Sequence, residues 1–249
     1  MQRTRIIILL GILSVVLAAC NNQSTEEKMY EHLEEAVSLE EGFAEQQQPL
    51  VELEQQEKEL YNEIISLGME EFDKVKDLSE EALGLIDKRE ERLDAEKESI
   101  ESAKSEFDEI ESLVEELEDE KVQSTAKEMI SVMDEREEAY QGLNEAYHAA
   151  LEQDRKLYKM LQQEDLEEDQ LREQIDVINE QYDKVISANE TFNDKTEAYN
   201  QLKQDFYEQA ELNVEYENQS ESESNKQKSE GNDSQDEQDE QDKESTKDE

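Results

Sequence analysis

The stretch Val122–Leu161, VQSTAKEMISVMDEREEAYQGLNEAYHAALEQDRKLYKML, decides how this chain folds. Val122, Ala126, Met129, Met133, Arg136, Tyr140, Leu143, Tyr147, Ala150, Asp154, Leu157 and Leu161 follow one another in steps of four and three. Ten of these twelve are apolar, and steps of that kind lay residues along one face of a helix. A seam this long must be buried against other helices.

Working outward, Ile86, Leu93, Ile100, Phe107 and Val114 recur every seven residues, with Ala82, Arg89, Glu96, Ala103, Ile110 and Leu117 between them. A later seam carries Leu171, Ile175, Ile178, Tyr182, Val185, Phe192, Tyr199 and Phe206. The first segment holds Met29, Leu33, Ala36 and Phe43, then Leu50, Leu53, Leu60, Ile64 and Leu67, with a register change read near Pro49. These patterns predict an all-α fold with four long heptad-patterned helices over 26–67, 77–118, 123–163 and 166–212. Residues 69–76 form a short connecting turn. Short connections force neighbours antiparallel, so the expected object is an elongated antiparallel bundle over 26–212. Pro49 lacks an N–H, which predicts a kink, or a helix end near Gln47. Gly68 suits a helix C-terminus, Ser124 or Thr125 a cap, and Asp165 with Glu168 a capping box.

Composition agrees. Among 249 residues, Gly and Pro number only seven, too few for sandwiches, barrels or wound sheets with their frequent turns. The 72 acidic against 25 basic residues give a net charge of -47, which excludes nucleic acid as a main partner. From Glu217 to Glu249 no residue is apolar, and 13 acids face 4 lysines. That composition predicts a disordered acidic tail over 213–249.

At the other end, Arg3 and Arg5 precede the apolar run Ile6–Leu17, too short to span a bilayer but suited to a secretory signal. Leu17-Ala18-Ala19-Cys20 follows, and Cys20 is the chain's only cysteine. The run resembles a bacterial lipobox, which implies a signal peptide over 1–19, cleavage before Cys20 and a diacylglycerol on its thiol. Residues 20–25 then form a short tether. The mature protein is expected outside the cytoplasm, anchored to the outer face of the cell membrane.

Little in the sequence carries catalysis. His32 and His148 have no second His or Cys at helical spacing, so no compact zinc site is visible. No phosphate loop, nucleophile elbow or glycine-bearing calcium loop is present in the sequence. We expect no enzyme activity, no cofactor and no dedicated metal site. The polar residues at seam positions, Arg89, Glu96, Arg136, Asp154 and Asn189, either line a pocket between helices or fix register and partner choice. We favour register, for which Arg136→Leu leaves the fold intact or stabilises it. Tyr158 and Tyr207 lie beside the seams, where an exposed aromatic ring would serve recognition.

Finally, Gln48-Pro49-Leu50-Val51-Glu52-Leu53-Glu54, Glu59-Leu60-Tyr61, Ser66-Leu67-Gly68, Glu71-Phe72-Asp73, Glu96-Lys97-Glu98-Ser99, Phe192-Asn193 and Tyr199-Asn200 occur in this order. Together they resemble the YkyA-like family of cell-wall-binding lipoproteins of Gram-positive, Bacillus-like bacteria, over residues 1–212. The resemblance implies a membrane-anchored helical domain facing the wall, with no catalytic residues. A wall polymer or a basic protein is the expected partner. An adaptor role toward a membrane enzyme, secreted wall hydrolase or exported client is the alternative.

Overall fold

The computed structural model describes residues 23–67, 71–212 and 214. The chain is all-α, and among the described residues no strand occurs. Six helices form four long arms: α1 (Thr25–Leu39) with α2 (Glu41–Ser66), α3 (Phe72–Asp108) with the single turn α4 (Glu111–Val114), α5 (Glu120–Leu161) and α6 (Glu168–Gln209). The 42 residues of α5 span about 63 Å. α2 packs along α3, α3 against α5, α5 along α6, and α1 on α3. The α2–α6 side is the loosest of the four.

Caps explain where the arms start. Ser24 Oγ accepts the Glu27 amide at 3.1 Å, and Glu27 returns a bond to the Ser24 amide. Asp119 caps α5 by accepting from Lys121 and Val122. Ser124 and Thr125 therefore lie inside the helix rather than capping it, because the acid five residues earlier reaches the free amides first. At α6 the box is formed by Glu167 and Gln170, two residues after the expected pair. The same helix ends with Glu211 at φ 53°, and Leu212 N–H returns to the Tyr207 carbonyl at 3.0 Å. Glutamate here takes the left-handed position usually given to glycine. α3 begins at Phe72 and ends at Asp108, so 72–76 belong to the arm itself, and within 109–118 only Glu111–Val114 is helical, as α4.

The first arm differs most from expectation. α2 runs uninterrupted through Pro49, and the arm breaks nine residues earlier, at Glu40. The cause lies on α3. Ser99 Oγ donates to the Leu39 carbonyl at 2.6 Å and accepts the Phe43 amide at 2.9 Å. In an unbroken helix those two groups would bond each other, so the hydroxyl splices into the ladder. Gly42 makes room for it, since a Cβ there would stand 3.1 Å from Ser99 Oγ.

With the break placed correctly, the register change disappears. Met29, Leu33, Ala36, Glu40, Phe43, Gln47, Leu50, Glu54, Glu57, Tyr61 and Ile64 advance by four and three without interruption. Met29, Leu33, Ala36, Phe43, Leu50, Glu57 and Ile64 among them are buried. Three apolar clusters stack along the bundle. One gathers Met29, Phe107, Met129 and Phe206; the next Phe43, Ile100, Tyr140 and Phe192; the last Leu50, Ile86, Leu93 and Leu151. Val214, inside the range expected as tail, packs on the first cluster. The remainder of 213–249 lies outside the described residues, as do 1–22 and Gly68.

Candidate functional site

Polar seam residues of the first arm meet those of the other arms in layers between the apolar clusters. In one layer Arg136 Nη1 and Nη2 donate to Glu40 at 2.7 and 2.8 Å, and Nε donates to Thr196. The guanidinium also lies 5.0 Å from the Phe192 ring. Glu40 came to this layer unannounced by the apolar pattern, and it changes what Arg136→Leu should do. The single substitution strands the Glu40 carboxylate, 23% exposed, against leucine. We expect it to destabilise by about 2 kcal/mol in urea unfolding, with Glu40→Leu in the same chain restoring most of the loss. Recovery of full stability by the single variant would refute this pairing.

The deepest layer is built on Arg89, 1% exposed. Its Nη1 donates to Glu57 at 2.5 Å and stands 3.6 Å from Asp154. Its Nη2 donates to Tyr147 and Tyr182, each at 2.9 Å, and reaches Glu54 at 3.4 Å. Tyr182 donates to Asp154 at 2.6 Å, and Tyr147 donates to Glu54. All four arms contribute. Burial pushes the Glu57 carboxyl up to about 7 despite Arg89, and pushes Asp154 up against the opposing pull of Tyr182 and Arg89. Burial likewise raises the Tyr147 and Tyr182 hydroxyls.

Between this layer and the aromatic cluster lies a cavity of about 270 Å³. At one end Phe43, Tyr140 and Phe192 meet edge to face or tilted, with ring centroids 5.5–6.0 Å apart. At the other stand Tyr147 and Tyr182. Glu96 lines the cavity while only 4% exposed, and Gln47 Nε2 donates to one of its carboxylate oxygens. Burial pushes the Glu96 carboxyl up to about 8; the Gln47 bond opposes the rise and the nearby Glu54 charge adds to it. Asn144 and Asn189 complete the polar lining. Val51 on α2 and Ile186 on α6, 54% and 47% exposed, stand at the loose side of the bundle and also line the cavity.

Arg89, Glu96, Arg136 and Asp154 are thus buried and brought into the layers, and Asn189 sits at the cavity. Sequence reasoning missed Glu40, Gln47, Glu54 and Glu57, although each occupies a seam position. Tyr158 and Tyr207 are buried rather than displayed, and Tyr207 donates to Glu34 at 2.7 Å. His32 bonds Glu106 at 2.7 Å, and His148 stands 3.8 Å from Asp94. Leu17, Ala18, Ala19 and Cys20 lie outside the described residues. No helix among those described is long and apolar enough to cross a membrane.

Four long arms, charged layers across their core and a cavity between the deepest layer and the aromatic cluster define an all-α bundle with a space of ligand size. A family model described as "Putative cell-wall binding lipoprotein" matches residues 24–209, nearly the whole of that bundle. The chain belongs to this family, YkyA. It is 33% identical over 198 residues to "Uncharacterized lipoprotein YkyA" of Bacillus subtilis (strain 168), covering 80% of this chain and 89% of that one. A crystal structure of a conserved protein of unknown function from Staphylococcus aureus shares the fold, with a TM-score of 0.62 at 15% identity, over 75% of this chain and 97% of the other.

Proposed function

We propose that this protein is a non-catalytic lipoprotein, anchored through diacylglycerol on Cys20 to the outer face of the cell membrane, that binds or organises the cell wall. The family match across residues 24–209 carries the reading. The lipobox supports the anchor. The commitment of the buried acids to structural partners supports a binding role over catalysis: Glu57 and Asp154 are held by Arg89 and Tyr182.

Charge shapes how such binding would work. A wall bearing teichoic phosphates is polyanionic, and a chain of net charge -47 is repelled by it at long range. Attraction then needs divalent cations as bridges or a local site. The test is retention of the soluble fragment 21–249 on purified wall sacculi, with Mg²⁺ and with EDTA. We expect retention; none under either condition removes the wall reading. The same charge favours a second reading, an adaptor that binds a basic protein such as a secreted wall hydrolase. Crosslinking in cells that returns one dominant basic protein would select it.

A further inference from the structure

The cavity has three features that bear on what it can hold. Its walls are aromatic and aliphatic. Its polar groups are acids, amides and tyrosine hydroxyls, and none of its lining residues is basic. Glu54 and Glu96 line it, and in the adjacent layer Glu57 and Asp154 stand with the single guanidinium of Arg89, which is already engaged with Glu57, Glu54, Tyr147 and Tyr182. Glu96 has no cationic partner among the described residues, yet it is buried. Only a side-chain amide, from Gln47, donates to it.

A buried acid without a cation is costly unless something compensates it. Aromatic faces attract cations, and a desolvated carboxylate attracts them more strongly than one in water. The volume also fits a small ligand: an engineered apolar cavity of about 150 Å³ holds benzene, and this one measures about 270 Å³. The opening lies between Val51 and Ile186, where α2 and α6 pack least and apolar side chains stand in solvent.

We propose that this cavity binds an ammonium group carried on a small apolar body, with the cation against Glu96 and Glu54 and the body against Phe43, Tyr140 and Phe192. The ligand chemistry has two sources, a free organic amine or the ammonium-bearing arm of a wall polymer. The second source rests on the wall-binding reading above; the first does not. Where the arm is the source, a polyanion holds an anionic wall through the wall's own scattered cations.

Binding an ammonium group also requires Glu96 to be ionised. The polar groups that line the cavity with it are Gln47 and Glu54 from α2, Tyr140, Asn144 and Tyr147 from α5, and Tyr182 and Asn189 from α6, while Arg89 on α3 is engaged in the adjacent layer. None of the α2, α5 or α6 groups supplies a positive charge. Burial already holds the Glu96 carboxyl near 8, so the amine must displace its proton at neutral pH. Affinity should fall roughly tenfold for each pH unit below that value.

Calorimetry on the full-length lipoprotein in detergent tests the site, with 2-phenylethylammonium as probe and 2-phenylethanol as its neutral counterpart. We expect the amine to bind, the alcohol to bind at least roughly tenfold more weakly, and protons to be released near pH 7. Glu96→Gln, which keeps size and hydrogen bonding, should lower amine affinity at least tenfold near pH 9. Val51→Arg, on an exposed residue at the mouth, should weaken it as well. Equal binding of amine and alcohol, or unchanged affinity in Glu96→Gln, overturns the proposal. Sacculi with their amines acetylated separate the sources. Lost retention assigns the ammonium to the wall, whereas unchanged retention with positive calorimetry assigns the site to a free amine.

Discussion

Replacing Arg89 with methionine lowers unfolding free energy by about 4 kcal/mol near pH 8, and by distinctly less near pH 5.5. Among the described residues Arg89 is the only cation in a layer that holds Glu57, Asp154 and the near oxygen of Glu54. Methionine fills similar volume, so the loss is one of charge compensation rather than packing. At high pH the stranded carboxylates must stay charged in the core or unfold it. At low pH they protonate, and neutral carboxyls can bond the hydroxyls of Tyr158 and Tyr182 already beside them. Urea unfolding followed by circular dichroism at the two pH values measures both. Adding Glu57→Gln and Asp154→Asn should recover most of the deficit. A cost that does not vary with pH would show that the layer is not held by this charge.

The wild-type protein itself should lose stability as pH rises from about 5 to about 8.5. The carboxyls of Glu57 and Glu96 sit at about 7 and about 8 in the fold, against 4.5 when free. Between 4.5 and 8 the folded state therefore keeps protons that the unfolded chain has released. The unfolded state binds fewer protons there, so unfolding free energy falls with rising pH. The stabilisation is full below the unfolded value and is gone above the folded one. Together the two groups account for several kcal/mol. Thermal unfolding across this range checks the slope. Glu96→Gln should flatten it and raise the midpoint near pH 8.5. A midpoint that climbs with pH would contradict the burial of both acids.

The four arms were legible because apolar residues at helical spacing can be buried in only one way, and the seam over Val122–Leu161 stated it without ambiguity. Other features depended on groups far apart in the chain. The break at Glu40 is made by Ser99, which no local pattern of the first arm could announce. Pro49 drew attention instead, although a helix loses only one backbone bond to it. Leu53 and Leu60, half-buried beside the true seam, pulled the reading toward a shifted register and hid Glu54 and Glu57. Those acids were still readable as continuing the steps from Met29 to Ile64. The caps at Asp119 and Glu167 were missed by a few residues, since several polar side chains near each start could have served. The cavity had no linear signature: a void is made by four arms jointly.

The unbroken seam of the first arm also governs what happens if that arm docks one heptad out of place. Most apolar positions would still meet apolar ones, but Glu40 and Glu57 would enter the places of Leu33 and Leu50, or Glu57 that of Ile64. Slid one way, Gln47 replaces Glu40 opposite Arg136, while Tyr61 and Ile64 replace Glu54 and Glu57 around Arg89. Slid the other way, Leu33 faces Arg136 and Leu50 faces Arg89. Either misalignment takes Glu40 from Arg136 and leaves Arg89 with Asp154 alone of its acids, a penalty of several kcal/mol. The charged layers thus proofread assembly, letting a chain of repetitive helices settle into a single alignment.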